Sequence, residues 1–295
     1  MARGALKVTD LISIIVATYN RPDALAATLR GLEAQTDRNF EIVIADDGSD
    51  ETTGGIITAF ARNTKIAVKH AWHADSGFRL AEIRNRAIRI STGDYCVFLD
   101  GDCIPRPGFV AAHRALMEPG WFVTGNRMLL SEALTQRILE KNLEPEKWGF
   151  FTWTIRRLRG EVNRLSPLFG ISLGALRKRQ ARRWRGARGS NMAFWRRDLD
   201  AVDGFDSAFT GWGREDSDIF VRMIRSGVLR KDGRFATAVL HLWHKEADRS
   251  QLAGNERQLD QARASKRLRA QVGLSHLALE IERSKPKPSL AQPVS

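Results

Sequence analysis

Short apolar runs rich in β-branched residues alternate with helical patterns through the first hundred residues, and this alternation limits the possible folds more than any other feature. Leu25, Leu29 and Leu32 recur at helical spacing after the first run, and a second helical pattern covers residues 80–90. Strands that alternate with helices in this way predict an α/β fold with a mostly parallel sheet. The four apolar runs are residues 11–17, 40–45, 65–69 and 95–99.

Polar clusters follow three of these runs. Thr18-Tyr19-Asn20 follows the first run, Asp46-Asp47 the second and Asp100-Gly101-Asp102 the fourth. In open parallel sheets, ligands bind beyond the carboxyl ends of the strands. We therefore expect the three clusters to meet in one crevice.

Asp100-Gly101-Asp102 has the pattern of a metal site at a strand end. Alternate residues of an extended segment point to the same side, and the glycine lets the backbone bend towards a ligand. Two carboxylates suit Mg²⁺ or Mn²⁺, especially when substrate phosphates complete the coordination shell. The other interpretation is a capped turn, because Asp-Gly is a favoured turn pair. The position at the end of a parallel strand favours the metal site.

The acids after the second strand predict a contact to a nucleotide. Asp46 or Asp47 could accept a hydrogen bond from a ribose hydroxyl or from the N–H of a base, although such clusters also simply begin helices. Further polar side chains follow the first strand and would lie next to these acids. They are Thr18, Tyr19, Asn20 and Arg21.

The charge balance is unusual for a chain of 295 residues, with a formal net charge of +13. Such an excess favours polyanionic partners, which include nucleic acid, anionic membrane surfaces and phosphorylated substrates. Cys96 and Cys103 are the only cysteines, which fits a reducing compartment and gives no zinc-binding pattern. No apolar run is long enough to span a bilayer, and the first ten residues lack the apolar core of a signal peptide. We expect a cytoplasmic protein.

Three segments, taken in order, resemble glycosyltransferase family 2. They are residues 13–21 (SIIVATYNR), 42–49 (IVIADDGS) and 98–102 (FLDGD). The resemblance implies the GT-A fold, a nucleotide-sugar donor with UDP as the expected carrier, a divalent cation (Mn²⁺ or Mg²⁺) and inversion at the anomeric carbon. Many members have a proline before the tyrosine, where this chain has Thr18.

Residues 75–85 (DSGFRLAEIRN) resemble the chondroitin-polymerase-like and galactosyltransferase-like branch of this family. In that branch, arginine and asparagine of this segment line the donor pocket. The resemblance implies that Arg84 contacts the nucleotide or its diphosphate, with Arg79 as a second candidate, and that Asp100 and Gly101 also line the donor site. Without it, Arg84 would be read as a solvated arginine on an amphipathic helix.

Residues 211–216 (GWGRED) are similar to the Gly-Trp-Gly-x-Glu-Asp motif of the same branch. Glycines on both sides of Trp212 allow a loop that exposes the indole, which suits stacking on a sugar. The following helix N-terminus favours ionised carboxylates. We assign Asp216 as the general base and Glu215 as a residue that positions the acceptor, beside Trp212 and Gly213. The alternative is a helix-capping cluster.

Two further assignments rest on the resemblance. In related GT-A enzymes a histidine soon after the last sheet strand completes the metal site, which implies His241, with His244 as the alternate, beside Asp100 and Asp102. Residues 188–192 (RGSNM) look like the segment that lines the acceptor side, so Asn191 is a predicted sugar contact.

Residues 148–188 form a basic, aromatic insert beyond what the family core needs. Tryptophan and phenylalanine among arginines suit an anionic membrane surface. We expect such a surface as an added property of an enzyme with a lipid-linked acceptor, and a basic, solvated pair of helices is the alternative.

We expect a GT-A domain over residues 1–245, followed by a helical extension over 246–285 and a disordered tail over 286–295. The donor part of the domain is 1–105 and the acceptor part is 106–245. The predicted function is an inverting transfer of sugar to a saccharide or lipid-linked glycan in cell-surface polysaccharide or lipopolysaccharide assembly. The alternatives are a nucleotidyltransferase of similar fold and a basic protein that binds nucleic acid or membrane without catalysis. No zinc-finger or RNA-recognition motif is present, so we expect no specific nucleic-acid partner.

Overall fold

A computed structural model describes residues 11–277 of the chain. Its strands form a seven-stranded sheet of order β3-β2-β1-β4-β8-β6-β9 and a three-stranded sheet of order β5-β10-β7. The strands are β1 (Ile12–Thr18), β2 (Phe40–Asp46), β3 (Ala67–Trp72), β4 (Tyr95–Asp100), β5 (Cys103–Pro105), β6 (Trp121–Thr124), β7 (Arg127–Leu129), β8 (Asn191–Trp195), β9 (Leu229–Asp232) and β10 (Val239–His241).

Helices connect most of these strands. The α-helices are α1 (Pro22–Glu33), α2 (Glu51–Asn63), α3 (Leu80–Ile90), α4 (Phe109–Leu116), α5 (Glu132–Glu140), α6 (Phe150–Leu158), α7 (Arg196–Ala201), α8 (Glu215–Arg225) and α9 (Leu252–Ala264). Short 3₁₀ helices cover Pro145–Lys147, Ser166–Leu168 and Gly174–Lys178. Among residues 11–277, no helix has the length and apolar character that a membrane span requires.

The four strands of the first hundred residues pair in parallel, as predicted. Both faces of β1 are buried, because Ile14 and Val16 pack into one core cluster while Ile15 packs into another on the opposite face. A strand that is covered on both faces is apolar throughout rather than alternating, which explains the continuous run in the sequence. The predicted α/β class with a mostly parallel central sheet is confirmed.

Strand β8 is antiparallel to both of its neighbours, β4 and β6. It therefore places a segment from the second half of the chain directly beside the last strand of the first half. In the small sheet, β10 pairs with β5 so that His241 lies opposite Cys103. Both arrangements bring late residues to the carboxyl end of β4.

Several predicted boundaries differ from the structure. The third strand begins two residues later and ends three residues later than predicted. The apolar run at 236–243 also predicts a strand, but only the three residues of β10 join a sheet. Helix α8 begins at Glu215, so the predicted acids belong to its first turn. Within the helical extension predicted over 246–285, α9 covers Leu252–Ala264 and residues 265–273 are not helical. The predicted tail at 286–295 lies outside the described residues.

Candidate active site

The carboxyl ends of β1, β2 and β4 lie side by side, as the parallel register requires. Thr18 is opposite Asp46, and Ala17 is opposite Asp100. The backbone N–H of Asp47 donates to the carbonyl of Thr18 at 3.0 Å, which continues the pairing one residue past the strand. The three polar clusters therefore share one crevice.

The contacts of Gly101 explain why a glycine stands between Asp100 and Asp102. Its N–H donates to the carbonyl of Ala17 at 2.7 Å, and an added Cβ would lie 2.8 Å from that same oxygen. No side chain fits at this distance. The backbone therefore turns against β1 while Asp100 and Asp102 remain half-buried on either side of it.

Two histidines that no sequence motif marks form hydrogen bonds with the acids at the end of β2. Nε2 of His70 lies 2.9 Å from Asp46, and Nε2 of His73 lies 2.7 Å from Asp47. Burial opposes ionisation of Asp46, but the hydrogen bonds from His70 and Ser49 outweigh it and lower the pKa of this acid. Burial dominates at Asp47 and raises its pKa.

The loop after β1 is tied to its surroundings through Tyr19 and Asn20. The hydroxyl of Tyr19 donates to Asp75 at 2.8 Å, and the Asn20 side chain accepts from the N–H of Asp50 at 2.8 Å. Tyr19 is nevertheless 46% exposed, so its ring remains available at the rim of the crevice. Arg21 points away from these groups and pairs with Asp23.

The two predicted arginines of α3 lie in different environments. The N–H of Arg79 donates to Asp47 at 2.9 Å, and its half-buried guanidinium pairs with Glu82. Arg84 is only 1% exposed, and its guanidinium lies 3.2 Å from Asp100 and 3.3 Å from Glu215. Arg84 thus joins an acid of β4 to an acid of α8, and its contact to the nucleotide or its diphosphate stays a prediction.

Glu215 and Asp216 lie in the first turn of α8, beside the acids of β4. Glu215 is buried, and burial together with the negative charge of Asp216 raises its pKa to about 7 against the opposing effect of Arg84. Asp216 is half-buried, and one of its carboxylate oxygens accepts the N–H of Gly189 at 2.8 Å. Of the two, Asp216 is the more accessible to a substrate.

A second group of possible ligands surrounds Asp102. Its two carboxylate oxygens lie 3.7 Å from Nε2 of His241 and 3.4 Å from Nε2 of His244. Burial lowers the pKa of His241 to about 4, so its imidazole is neutral at neutral pH. The Nδ1 atom of His244 lies 2.8 Å from the carbonyl of Lys245, and donation of a proton there would leave Nε2 free to bind a cation.

These donors fit Mn²⁺ or Mg²⁺. One oxygen or nitrogen atom from each of Asp102, His241 and His244 lies within 4.8 Å of the others, and imidazole with carboxylate is a suitable set for such ions. Asp100, Asp102 and Cys103 form an overlapping group. Burial raises the pKa of the Cys103 thiol, so this residue remains protonated and is a poor ligand.

The predicted acceptor residues are only partly exposed. Trp212 is 37% exposed, between glycines with φ of +70° and +104°, and the guanidinium of Arg249 lies 4.9 Å from its ring centroid. The carbonyl oxygen of Gly213 accepts a hydrogen bond from the side-chain amide of Asn255 at 2.9 Å. Asn191 is 1% exposed and forms hydrogen bonds with the Thr237 carbonyl and His113, and its contact to a sugar stays a prediction.

The model of glycosyl transferase family 2 matches residues 13–182, which is more than half of the chain. The chain belongs to glycosyl transferase family 2. The model of the N-terminal domain of galactosyltransferase matches residues 173–245 of this glycosyltransferase, which include the Gly-Trp-Gly-Arg-Glu-Asp segment. The family membership predicted from the sequence is confirmed.

Curated relatives of this glycosyltransferase include a synthase and two glucosyltransferases. Chondroitin synthase of Escherichia coli is 27% identical over 90% of this chain and 38% of its own length. Validoxylamine A glucosyltransferase of Streptomyces hygroscopicus subsp. jinggangensis is 29% identical over 76% of this chain and 54% of its own. UDP-Glc:alpha-D-GlcNAc-diphosphoundecaprenol beta-1,3-glucosyltransferase WfaP of E. coli is 38% identical over 93 residues, which are 32% of this chain and 36% of WfaP. The glycosyltransferase thus spans about half or less of the length of these relatives.

Solved structures confirm the GT-A fold of this glycosyltransferase. Residues 1–349 of Staphylococcus aureus TarS, in complex with UDP-GlcNAc, superpose with a TM-score of 0.57 at 17% identity, over 90% of this chain and 68% of that one. The mannosyltransferase PcManGT of Pyrobaculum calidifontis, in complex with GDP-Man and Mn²⁺, gives a TM-score of 0.52 at 16% identity, over 94% and 76% of the two chains.

Some site residues of this glycosyltransferase carried no signal in the sequence. His70 lies on a strand whose end was predicted too early, and His73 follows that strand directly. Arg127 places a positive charge beside Asp100 and His241, but it begins a strand of three residues that shows no periodicity. A predicted third strand that continued past residue 69 would have included His70 and placed it next to the acids of β2.

Proposed function

We propose that this glycosyltransferase moves a sugar from a UDP-sugar to a hydroxyl of a saccharide or lipid-linked glycan, with inversion at the anomeric carbon. The observation that carries the proposal is the position of Asp216, which is half-buried beside Glu215 in the first turn of α8, while Arg84 joins Glu215 to Asp100. A proton acceptor from the second half of the chain thus faces the acids of the donor side.

In the proposed reaction, the side chains mainly orient the reactants and move one proton. Asp216 accepts the proton of the acceptor hydroxyl while that oxygen forms a bond to the anomeric carbon. The bond between this carbon and the diphosphate oxygen breaks, and the nucleoside diphosphate leaves with the electron pair. Trp212 and the loop around it hold the acceptor, which supplies proximity and orientation.

Asp102, His241 and His244 would hold Mn²⁺ or Mg²⁺ in this proposal, with Asp100 beside them. When bound, the cation neutralises the negative charge that develops on the leaving diphosphate. The proposed contacts to the nucleoside lie on the β2 side of the crevice at the strand ends. They are Asp46, Asp47, Thr18, Tyr19 and Arg79.

The donor is proposed as a UDP-sugar because the name of the relative WfaP gives UDP-Glc as its donor. The names of the chondroitin synthase and WfaP relatives also support a glycan or a diphosphate-linked lipid as acceptor. A thermal-shift screen of nucleotide sugars with Mn²⁺ tests the donor. We expect UDP-sugars to raise the melting temperature and EDTA to abolish the effect, and a shift that is equal for all nucleotides would refute the choice of UDP.

Asp216→Asn tests the general base. We expect transfer to fall by about 10²–10⁴-fold, the usual contribution of such a group, while the melting-temperature shift caused by UDP and Mn²⁺ is unchanged. Asp200→Asn removes an exposed carboxylate from α7 and serves as the matched control. Near-normal transfer by Asp216→Asn with intact UDP binding would remove this residue from the mechanism.

A second proposal concerns the insert at 148–188, which would dock on an anionic membrane surface. Trp148 and the fully buried Trp153 pack into a core cluster, so only part of the aromatic content is available. On α6, however, Phe151 is 78% exposed and Leu158 is 84% exposed, and their spacing of seven positions puts them on the same side of the helix. The exposed Arg157 directly precedes Leu158. Apolar side chains next to arginine fit the boundary between headgroups and acyl chains.

Vesicle co-sedimentation tests the docking surface. We expect the protein to bind vesicles that contain phosphatidylserine, and Phe151→Ser with Leu158→Ser to reduce that binding severalfold. Vesicles of phosphatidylcholine alone provide the control for charge. Equal binding of the variant and the original protein would exclude α6 as the contact.

A further inference from the structure

A cavity of about 450 Å³ opens beside Asp216 and has no role in the mechanism proposed above. It lies between the loop that precedes β8, the start of α8 and one face of α9. A second cavity of about 500 Å³ shares three of its lining residues and extends it along the loop. The residues that line both cavities are Trp184, Arg185 and Arg263.

The lining of this cavity has an excess of positive charge. Its two acids, Glu256 and Asp260, are already paired, at 2.5 Å with Arg214 and at 2.7 Å with Arg263. Arg185 and Arg188, by contrast, form no ion pair with any carboxylate among residues 11–277. Two guanidinium groups therefore face the cavity without a protein anion to neutralise them.

Trp184 gives the cavity a fixed aromatic wall. The guanidinium carbon of Arg185 lies 5.4 Å from the ring centroid and that of Arg263 lies 5.6 Å from it. The indole also packs against the apolar cluster of Phe209 and Leu259. Stacking restricts the arginine side chains, so less conformational entropy is lost when they bind an anion.

The cavity adjoins the proposed base directly. Ser217 lines it, and the hydroxyl of Ser217 donates to one oxygen of Asp216 at 3.2 Å. Arg188 precedes Gly189, whose N–H donates to the other oxygen. An anion bound by Arg185 or Arg188 would therefore lie beside the residue that is the proposed base.

We propose that this cavity binds an anionic group of the acceptor, either a carboxylate of a uronic acid or a phosphate of a lipid-linked diphosphate. The proposal rests on the proposed function, because it takes Asp216 as the residue that receives the acceptor. Both anions accept two parallel hydrogen bonds from a guanidinium, which is the contact that Arg185 and Arg188 can offer.

Calorimetric titration of the full chain, with saturating UDP and Mn²⁺, tests the proposal with two matched pairs of probes. The first pair is a disaccharide that ends in glucuronate and its uncharged methyl ester. The second pair is an N-acetylglucosamine with a short alkyl diphosphate and the corresponding alkyl glycoside without phosphate. We expect the charged member of at least one pair to bind about tenfold or more tightly than its neutral partner, which corresponds to about 1.4 kcal/mol.

Arg185→Gln with Arg188→Gln should abolish this preference. Arg159→Gln with Arg179→Gln, which removes the same charge from exposed positions of the insert, should keep it. The pair that shows the preference identifies the source of the anion. Equal binding within both pairs would overturn the proposal, as would a preference that survives in the variant at 185 and 188. So would a variant that loses only vesicle binding, because the arginines would then serve a membrane.

Failure of the proposed function gives a different result. If UDP does not bind the unaltered protein, the donor assignment fails, and the preference for charged probes can still be measured without UDP. If UDP binds and the preference is absent, only the anionic site fails.

Discussion

Replacing Arg84 by methionine tests how the two halves of the site are joined. Arg84 is 1% exposed, and its guanidinium lies within 3.3 Å of both Asp100 and Glu215. Methionine keeps much of the volume but removes the positive charge. Two acids that are buried or half-buried then face each other without a compensating cation.

The expected loss follows from the cost of breaking a buried ion pair. Removing one partner of such a pair costs about 3–5 kcal/mol, since the remaining charge stays desolvated. With an unfolding entropy of about 2.1 cal/mol/K per residue, a loss of this size lowers the melting temperature of a chain of 295 residues by roughly 5–8 °C. Differential scanning calorimetry at pH 7.5 measures the change.

Two further variants make the test specific. Arg86→Met removes an arginine from the same helix that is 33% exposed and pairs with the half-buried Glu82, so we expect a smaller loss than for Arg84→Met. Arg84→Met combined with Glu215→Gln removes one of the stranded charges and should be more stable than Arg84→Met alone. A loss for Arg84→Met no larger than that for Arg86→Met, or strict additivity in the double variant, would refute the reasoning.

Two other predictions concern stability. Burial lowers the pKa of His113 to about 3, against an ordinary value of 6.5, so between these two pH values the unfolded chain binds a proton that the folded chain does not. The free energy of unfolding should therefore fall as pH decreases from about 6.5 towards 3, by up to about 1.4 kcal/mol per pH unit. Urea unfolding of His113→Gln should show a shallower fall, while exposed His276→Gln should keep the original slope. Gly48 has φ of +94°, and an added Cβ would lie 2.6 Å from the backbone of Asp75, so Gly48→Ala should lower the melting temperature and weaken UDP binding. Gly54→Ala, in a helix with open space around it, should be neutral or stabilising, and the reverse order of these two variants would contradict the steric argument.

The first half of the fold could be predicted from the sequence because its signals are local. Strands β1, β2 and β4 are buried on both faces, and α1 begins with Pro22 at its first position. The second half was predicted less well. Strands β5, β7 and β10 have three residues each, which is too short for a periodic pattern, and they form a sheet only through partners far apart in the chain.

The candidate site shows the same division. Its acids could be predicted because strand ends and a helix N-terminus mark them in the sequence. The function of Arg84 could not, since its two partners, Asp100 and Glu215, are 16 and 131 positions away. For the same reason the sequence gives no sign that Asn191, a predicted sugar contact, forms hydrogen bonds with Thr237 and His113.

The antiparallel position of β8 has a consequence for engineering. Leu99 pairs with Asn191, so the middle of the large sheet is completed by a segment that is synthesised ninety residues later. A chimera joined near residue 105 would have to recreate this pairing across two parental backbones, and a fragment that stops there would expose an unpaired edge along β4. Exchange of donor and acceptor preferences between related enzymes should therefore be attempted by grafting loops onto an intact sheet.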